Sequence, residues 1–394
     1  MVKGWIEKPI GELFDISGGV SASRAQLSVI GFPYLHYGDI HGSKRTFVDV
    51  SVDNTIPQLD IPLTRVSRGS LLQDGDVVFV DASEDDEGAS RHIVVRNDEN
   101  KPFISGLHTI VAKAKTNELC NNFREFCFQT SAVKAQFKFY AVGTKVVGVS
   151  KTSIKNIDVF FPLDKTEQRS IATALSDADA FIYALERLLA KKRNVKQGIM
   201  QELLTSKRRL PGFAGEWVEK PLGNATVSIS SGITRARENN GKYHLYGSTG
   251  LIGFTNSPDY SGKKILIARV GANAGTINIV DGIYGVSDNT LIVELNEGYD
   301  LNFMYSQLSF YGLNRLIFGS GQPLITGSQL KKLEVSFPPT KDEQIAIATV
   351  LSDMNAEIDS LAAKLAKARY IKQGMMSELL TGNIRLTEEG AGHG

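Results

Sequence analysis

Arg269 and Asn273 stand four residues apart in ARVGANAG, a glycine-punctuated stretch that follows the apolar run KKILI. Arginine and asparagine can each grip a base edge through two hydrogen bonds, guanine and adenine respectively, whereas lysine, serine and threonine suit phosphates. Polar residues of these types recur in two groups. The first comprises Ser21, Ser23, Arg24, Tyr37, Lys44, Arg45, Arg91, His92, Lys145 and Lys151. The second comprises Arg235, Arg237, Tyr246, Ser248, Thr249, Arg269, Asn273, Asn289 and Gln322. Taken singly, each is also what an ordinary protein surface carries. They become candidates for contacting DNA only if the fold gathers them.

Other chemistries find no motif. There is no G-x-x-x-x-G-K-[ST] phosphate loop, and the glycines of VGANAG fall between two strand-like runs, away from any helix start. No Asn-Pro-Pro-Tyr or Asp-Pro-Pro-Tyr tetrapeptide of amino-methyltransferases is present; SFPPT lacks the polar residue before its prolines. The six histidines show no ligand spacing, so no metal site is expected. The acidic run DASEDDEG, from Asp81, reads as a solvated loop and argues against DNA close by. Cys120 and Cys127 are the two cysteines, seven apart on one helical face, and read as buried free thiols in a reducing cytoplasm. The chain has no run of about 18 apolar residues and no signal-peptide core at MVKGWIEKPIGEL, so neither a membrane nor secretion is expected. A net charge of +1 gives no global signature of a nucleic-acid partner.

The elements that must position these residues are written twice. EQRSIATALSDADAFIYALERLLAKKRNVKQGIMQELLTSKRRL, from Glu167, lies on EQIAIATVLSDMNAEIDSLAAKLAKARYIKQGMMSELLTGNIRL, from Glu343, with about 25 identities in about 44 positions. The match fades backwards through VGTKVVGVSKTSIKNIDVFFP and FGSGQPLITGSQLKKLEVSFP. A second match, GWIEKPIGEL against GEWVEKPLGN, requires a different offset. Each half therefore has a shared start, a shared end and a middle of its own. Those middles alternate apolar strands with Gly, Asn and Asp turns, as mixed α/β domains do.

With Leu175 as heptad position a, the a and d positions run Leu175, Ala178, Ile182, Leu185, Leu189, Lys192, Lys196, Ile199, Leu203. The copy runs from Leu351 to Leu379 in the same register, a coiled-coil seam over about four heptads. Some 38 helical residues would span roughly 57 Å. Antiparallel pairing of the two helices would give the chain a pseudo-two-fold axis, with Lys192, Lys196 and Lys372 fixing the register. Between Glu186 and Arg209 the first helix carries eight basic and two acidic residues, a charge suited to phosphates or to a solvated face. Gly198 and Gly374 fall off the seam, where a helical glycine costs about 1 kcal/mol against alanine. With Gln197, Met200, Leu204, Gln373, Met376 and Leu380 they suggest a second surface approaching closely. That surface is either the chain's own domains or a separate partner met twice.

The repeated EQ…KQG.M.ELLT pattern, the Trp-to-Pro opening of each half, YGSTGLIGF and FGSGQPLITGSQLKKLEVSFPP resemble the specificity subunit of type I restriction–modification systems. The resemblance covers essentially the whole chain. In the first domain YLHYGDIHG, from Tyr34, stands where YGSTGLIGF would be expected. The resemblance implies an α+β chain of two mixed α/β target-recognition domains separated by two long helices pairing as an antiparallel coiled coil. The expected boundaries are 1–163 and 211–339 for the domains, 164–210 and 340–386 for the helical spacers, and 387–394 for a disordered tail. It also implies a non-catalytic chain that binds an asymmetric, two-part double-stranded DNA site, one half per domain. The helices would set the gap and dock two methyltransferase subunits, with restriction subunits joining. S-adenosylmethionine, ATP and Mg would belong to those partners. The alternatives are a methyltransferase or nuclease fused to its own reader, and a coiled-coil adaptor without a DNA role.

Overall fold

The computed structural model describes residues 2–83, 90–143, 147–235, 238, 240–317 and 323–387. Lys145, Arg237 and Gln322, the acidic run from Glu84 onward and the tail from residue 388 lie outside the described residues. The chain divides into two compact units, residues 1–184 with 365–394, and residues 185–364. Each begins with a two-stranded antiparallel ribbon that joins the start of a half to the strand entering its long helix. Trp5–Pro9 pairs with Asp158–Pro162 in the first unit, and Val218–Pro221 with Glu334–Phe337 in the second. Both strands of such a ribbon are edges, so prolines at their ends remove no ladder bond.

The two middles share no legible sequence, yet each builds the same central sheet. In the first unit the strand order is Phe14–Gly18, Thr109–Ala114, Val77–Val80, His92–Arg96, with Phe47–Asp49 added in parallel at the edge. In the second it is Thr226–Ser231, Thr290–Leu295, Lys264–Ala268, Ile277–Val280. All other neighbours are antiparallel. The central strands VVFV and KILIA are buried almost throughout, as strands covered on both faces must be. A second, smaller sheet in each unit contains one parallel pair: Phe32–Leu35 with Ile104–Ser105, and Tyr243–Gly247 with Ile283–Val286.

The repeated segments form helices Lys165–Leu204 and Lys341–Leu379. Within the first unit, Ile171 and Leu175 near the start of the first helix share one core with Leu379 and Leu380 at the end of the second. Within the second unit, Leu203 and Leu204 share a core with Ile347 and Leu351. Start meets end both times, so the helices run antiparallel. Two of the three seam lysines meet acidic partners on the opposite helix, Lys372 with Asp179 at 2.5 Å and Lys192 with Glu357 at 2.6 Å. Such pairs favour one register over its slipped alternatives.

Each helix start is clasped by the tail of the other helix. Glu343 is fully buried and takes a forked pair of bonds from Arg209, at 2.5 and 2.6 Å. Arg209 also donates to the carbonyls of Ala214 and Gly215, just ahead of Trp217. In the first unit Glu167 is equally buried, and Arg385 forks onto it while donating to the Lys3 carbonyl at 2.8 Å. The neighbouring glutamines hold the incoming loops. Gln168 accepts from Cys120 N–H at 2.8 Å, and Gln344 from Asp300 N–H at 2.8 Å. The doubled Glu-Gln pair and the doubled arginine are therefore one device used twice.

Truncating the arginine strands a buried carboxylate, which costs roughly 3–5 kcal/mol. Arg209→Ala is expected to lose that much stability in urea denaturation of the purified chain. The double variant Arg209→Met, Glu343→Met is expected to recover most of it. A loss under 1 kcal/mol for Arg209→Ala would mean the clasp is dispensable.

Candidate nucleic-acid interface

In the first unit the strand Val77–Val80 ends where its two antiparallel neighbours begin, so Asp81, Arg91 and His108 meet at one edge of the sheet. Asp81 N–H donates to the His108 carbonyl at 3.2 Å, and Val149 N–H to the Asp81 carbonyl at 2.8 Å. The parallel strand Phe32–Leu35 delivers the short helix Tyr37–Gly42 to the same edge. His36 caps that helix, its ring accepting from Gly38 N–H at 3.1 Å while Asp39 accepts from His36 N–H at 2.9 Å. Tyr37 packs against three imidazoles, His36, His41 and His108. Arg91 donates to the His41 carbonyl at 2.5 Å. Beyond it lie Lys44, exposed, and Arg45, which pairs with Asp53 at 3.1 Å.

Tyr37, Lys44, Arg45 and Arg91 are thus brought together. Ser21 and Ser23 are exposed further along, Ser23 engaged with Gln26, and Arg24 opens the turn Arg24–Gln26. Lys151 opens another short helix, Lys151–Lys155. His92 departs from expectation. Its ring packs against Phe79 and Phe128, 5.5 and 5.3 Å between centroids, and Nε2 is enclosed without a partner. Half-buried as a residue, it nonetheless commits its ring to these aromatics, which argues against it as a reader of DNA. Enclosure holds its pKa down to about 4.

The second unit repeats the frame bond for bond. Arg269 N–H donates to the Asn289 carbonyl at 3.0 Å, and Ile325 N–H to the Arg269 carbonyl at 2.8 Å. Ser287 N–H reaches the Tyr246 carbonyl at 2.8 Å, as Gly106 N–H reaches Leu35 at 2.9 Å. Gly232 N–H bonds the Thr290 carbonyl, as Gly19 N–H bonds Thr109. A Cβ on either glycine would collide with the turn opposite, Gly106 or Ser287, so no other residue fits. Tyr246 is half-buried against Tyr284, Ser248 and Thr249 form the hairpin turn, and Asn273, Asn289 and Arg235 are exposed. Arg269 is tethered within the unit, Nη1 lying 2.8 Å from Ser231 Oγ, which commits part of its guanidinium to holding the turn.

Two stretches, residues 2–196 and 221–369, match the family model for the type I restriction modification DNA specificity domain. The chain belongs to that family. A Methanocaldococcus jannaschii protein named as the type I restriction enzyme MjaX specificity subunit is 23% identical over 97% of this chain and 94% of its own. The MjaVIII specificity subunit of the same organism is 25% identical over 71% of this chain and 74% of its own. The solved type I restriction–modification S subunit of M. genitalium has the same fold, with a TM-score of 0.65 at 17% identity over 95% of this chain and 96% of that one. So has the HsdS subunit of Thermoanaerobacter tengcongensis, with a TM-score of 0.51 at 17% identity over 97% and 98%.

This chain is thus a DNA-specificity subunit with two recognition domains, a recognition component and not a catalyst; neither alternative reading finds support. Among the described residues no helix is long and apolar enough to cross a membrane. On the helices, the expected partner surface needs correction. Leu204 and Leu380 are buried in the cores of their own units, and Met200 and Met376 pack against them. Gln197, Gly198, Gln373 and Gly374 are exposed, and a Cβ on either glycine would meet nothing in this chain. The glycines therefore make no room for the chain's own domains. Heptad counting missed Val195 and Ile371, 44% and 49% exposed and three residues before each glycine. It missed His41 and His108 too, because ring contacts between distant segments leave no trace in spacing.

His92 supplies a pH test. Its folded pKa lies below the unfolded value near 6.5, so the unfolded chain takes up a proton first and stability falls as pH drops from about 6.5 toward 4. His92→Phe is expected to flatten that part of the profile in urea titrations at stepped pH while leaving DNA recognition unchanged. An unaltered profile would place the acid sensitivity elsewhere.

Proposed function

We propose that each recognition domain reads one half of an asymmetric, two-part DNA site, that the paired helices set the unread gap, and that each helix docks one methyltransferase subunit, two per chain. Restriction subunits join this assembly. S-adenosylmethionine, ATP and magnesium belong to the partner subunits, and the complex works on DNA in the cytoplasm. One observation carries the reading: the same backbone frame is built twice and given different side chains at its turns, Tyr37 in one and Ser248 in the other. Identical frames with different side chains suit different targets. The helix surfaces are by contrast alike, with an exposed aliphatic, Val195 or Ile371, one turn before an open glycine. Residues three apart share a helix face, so each copy offers an apolar knob beside a bare backbone notch, a seat for one helix of the same partner.

Exchange of residues 211–339 for the recognition domain of another family member is expected to alter one half of the methylated motif, read by sequencing modified bases in the host genome. A change in both halves, or in neither, would overturn the assignment of one domain to one half-site.

Gly198→Leu tests docking. Open space and better helix propensity should leave the chain as stable as the wild type or more so, while its co-purification with the methyltransferase subunits weakens. Adding Gly374→Leu should abolish it. Full assembly of the double variant would remove the notch from the interface.

A further inference from the structure

Among the described residues three besides glycine have positive φ: Asn100, His108 and Ser206. Asn100 closes a turn onto the Asn97 carbonyl, and Ser206 follows the end of the first long helix, where a reversal of the chain is routine. His108, at φ 57°, sits in the tight turn between strands Ile104–Ser105 and Thr109–Ala114. Its turn is clamped on both sides: Leu107 N–H donates to the Tyr34 hydroxyl at 2.7 Å, and the Thr109 hydroxyl donates to the Gly106 carbonyl at 2.5 Å. These bonds fix the turn, so the frame sets where the His108 side chain stands.

That side chain is built in from behind and open in front. His108 Nδ1 lies 3.1 Å from Asp81 Oδ1, and the imidazole meets the Tyr37 ring edge-on, 5.4 Å between centroids. Half of the side chain, 49%, remains exposed. With Nδ1–H donating to Asp81, Nε2 is left as an acceptor, suited to an amino-bearing base edge such as adenine N6 or cytosine N4. Arg91 stands at the same sheet edge, donating to the His41 carbonyl, and suits a phosphate.

The frame makes the position comparable between domains. Counting from the shared bonds, Gly106, Leu107, His108 and Thr109 correspond to Ser287, Asp288, Asn289 and Thr290. His108 therefore occupies the place of Asn289, and Asp81 that of Arg269. One domain backs an imidazole with a carboxylate, and the other sets an exposed carboxamide beside a guanidinium. We propose that His108, oriented by Asp81 and flanked by Tyr37, is the base-reading side chain of the first domain, in the position that Asn289 holds in the second. This rests on the reading of one half-site per domain.

The test uses the subunit assembled with its methyltransferase partners in the host, with modified-base sequencing of genomic DNA and thermal melting of the purified chain. His108→Gly relieves the backbone and should melt no lower than the wild type. Methylation of the native motif should fall about tenfold or more, or one base should become degenerate, in the half assigned to residues 1–163. His108→Asn, at ease in the same conformation, should behave likewise, and Asn289→Ala should affect only the other half. Two folded His108 variants with unchanged motif and rate would overturn the proposal, as would unfolding of both, which would make His108 a structural residue. Exchange of residues 1–163 is run in parallel. If that exchange changes neither half, the half-site reading itself fails, whatever His108 does.

Discussion

The buried glutamate at the start of each long helix is the constraint on which the architecture depends. A carboxylate with no exposure cannot be left unpaired without a cost of several kcal/mol, and neither Glu167 nor Glu343 finds its cation on its own helix. Glu167 is neutralised by Arg385, beyond the end of the second helix, and Glu343 by Arg209, beyond the end of the first. Apolar seams would tolerate several registers and either orientation. The crossed pairs are satisfied only when the helices run antiparallel and in one register. Each arginine also holds the backbone ahead of the tryptophan that opens a half, so three repeated segments converge on one guanidinium.

Around this device the units are free to differ. Each sheet needs only buried apolar strands in the same order and a glycine, Gly19 or Gly232, where the turn opposite passes too close for a Cβ. Turn side chains such as Asn273, Asn289 and Lys44 are exposed and take no part in the core, so they can be exchanged without unfolding it. This separation between a fixed frame and variable tips is the physical basis for changing a target sequence while keeping the assembly.

Much of this was legible in the sequence. A heptad seam of Leu and Ile at fixed spacing buries itself only against another helix, and the long helices, their pairing and the doubling of the chain followed. The absence of phosphate-loop and methyltransferase motifs pointed away from catalysis, in line with the family. What the sequence could not decide lies in contacts between distant segments. Met200 and Leu204 read as an outer apolar face because a helical wheel shows which residues leave the seam and not what covers them; the unit's own core covers them. His92 read as a polar candidate because spacing does not show that its ring meets Phe79 and Phe128. The kinship of the two middles was invisible because it resides in backbone hydrogen bonds, which any side chains can flank. His108 gained its meaning only when the fold set it beside Tyr37 and Asp81, 71 and 27 residues away in the chain. Local periodicity thus determined the elements and their doubling, while tertiary structure alone decided which polar side chains meet at an open edge, because that depends on strand order and not on spacing.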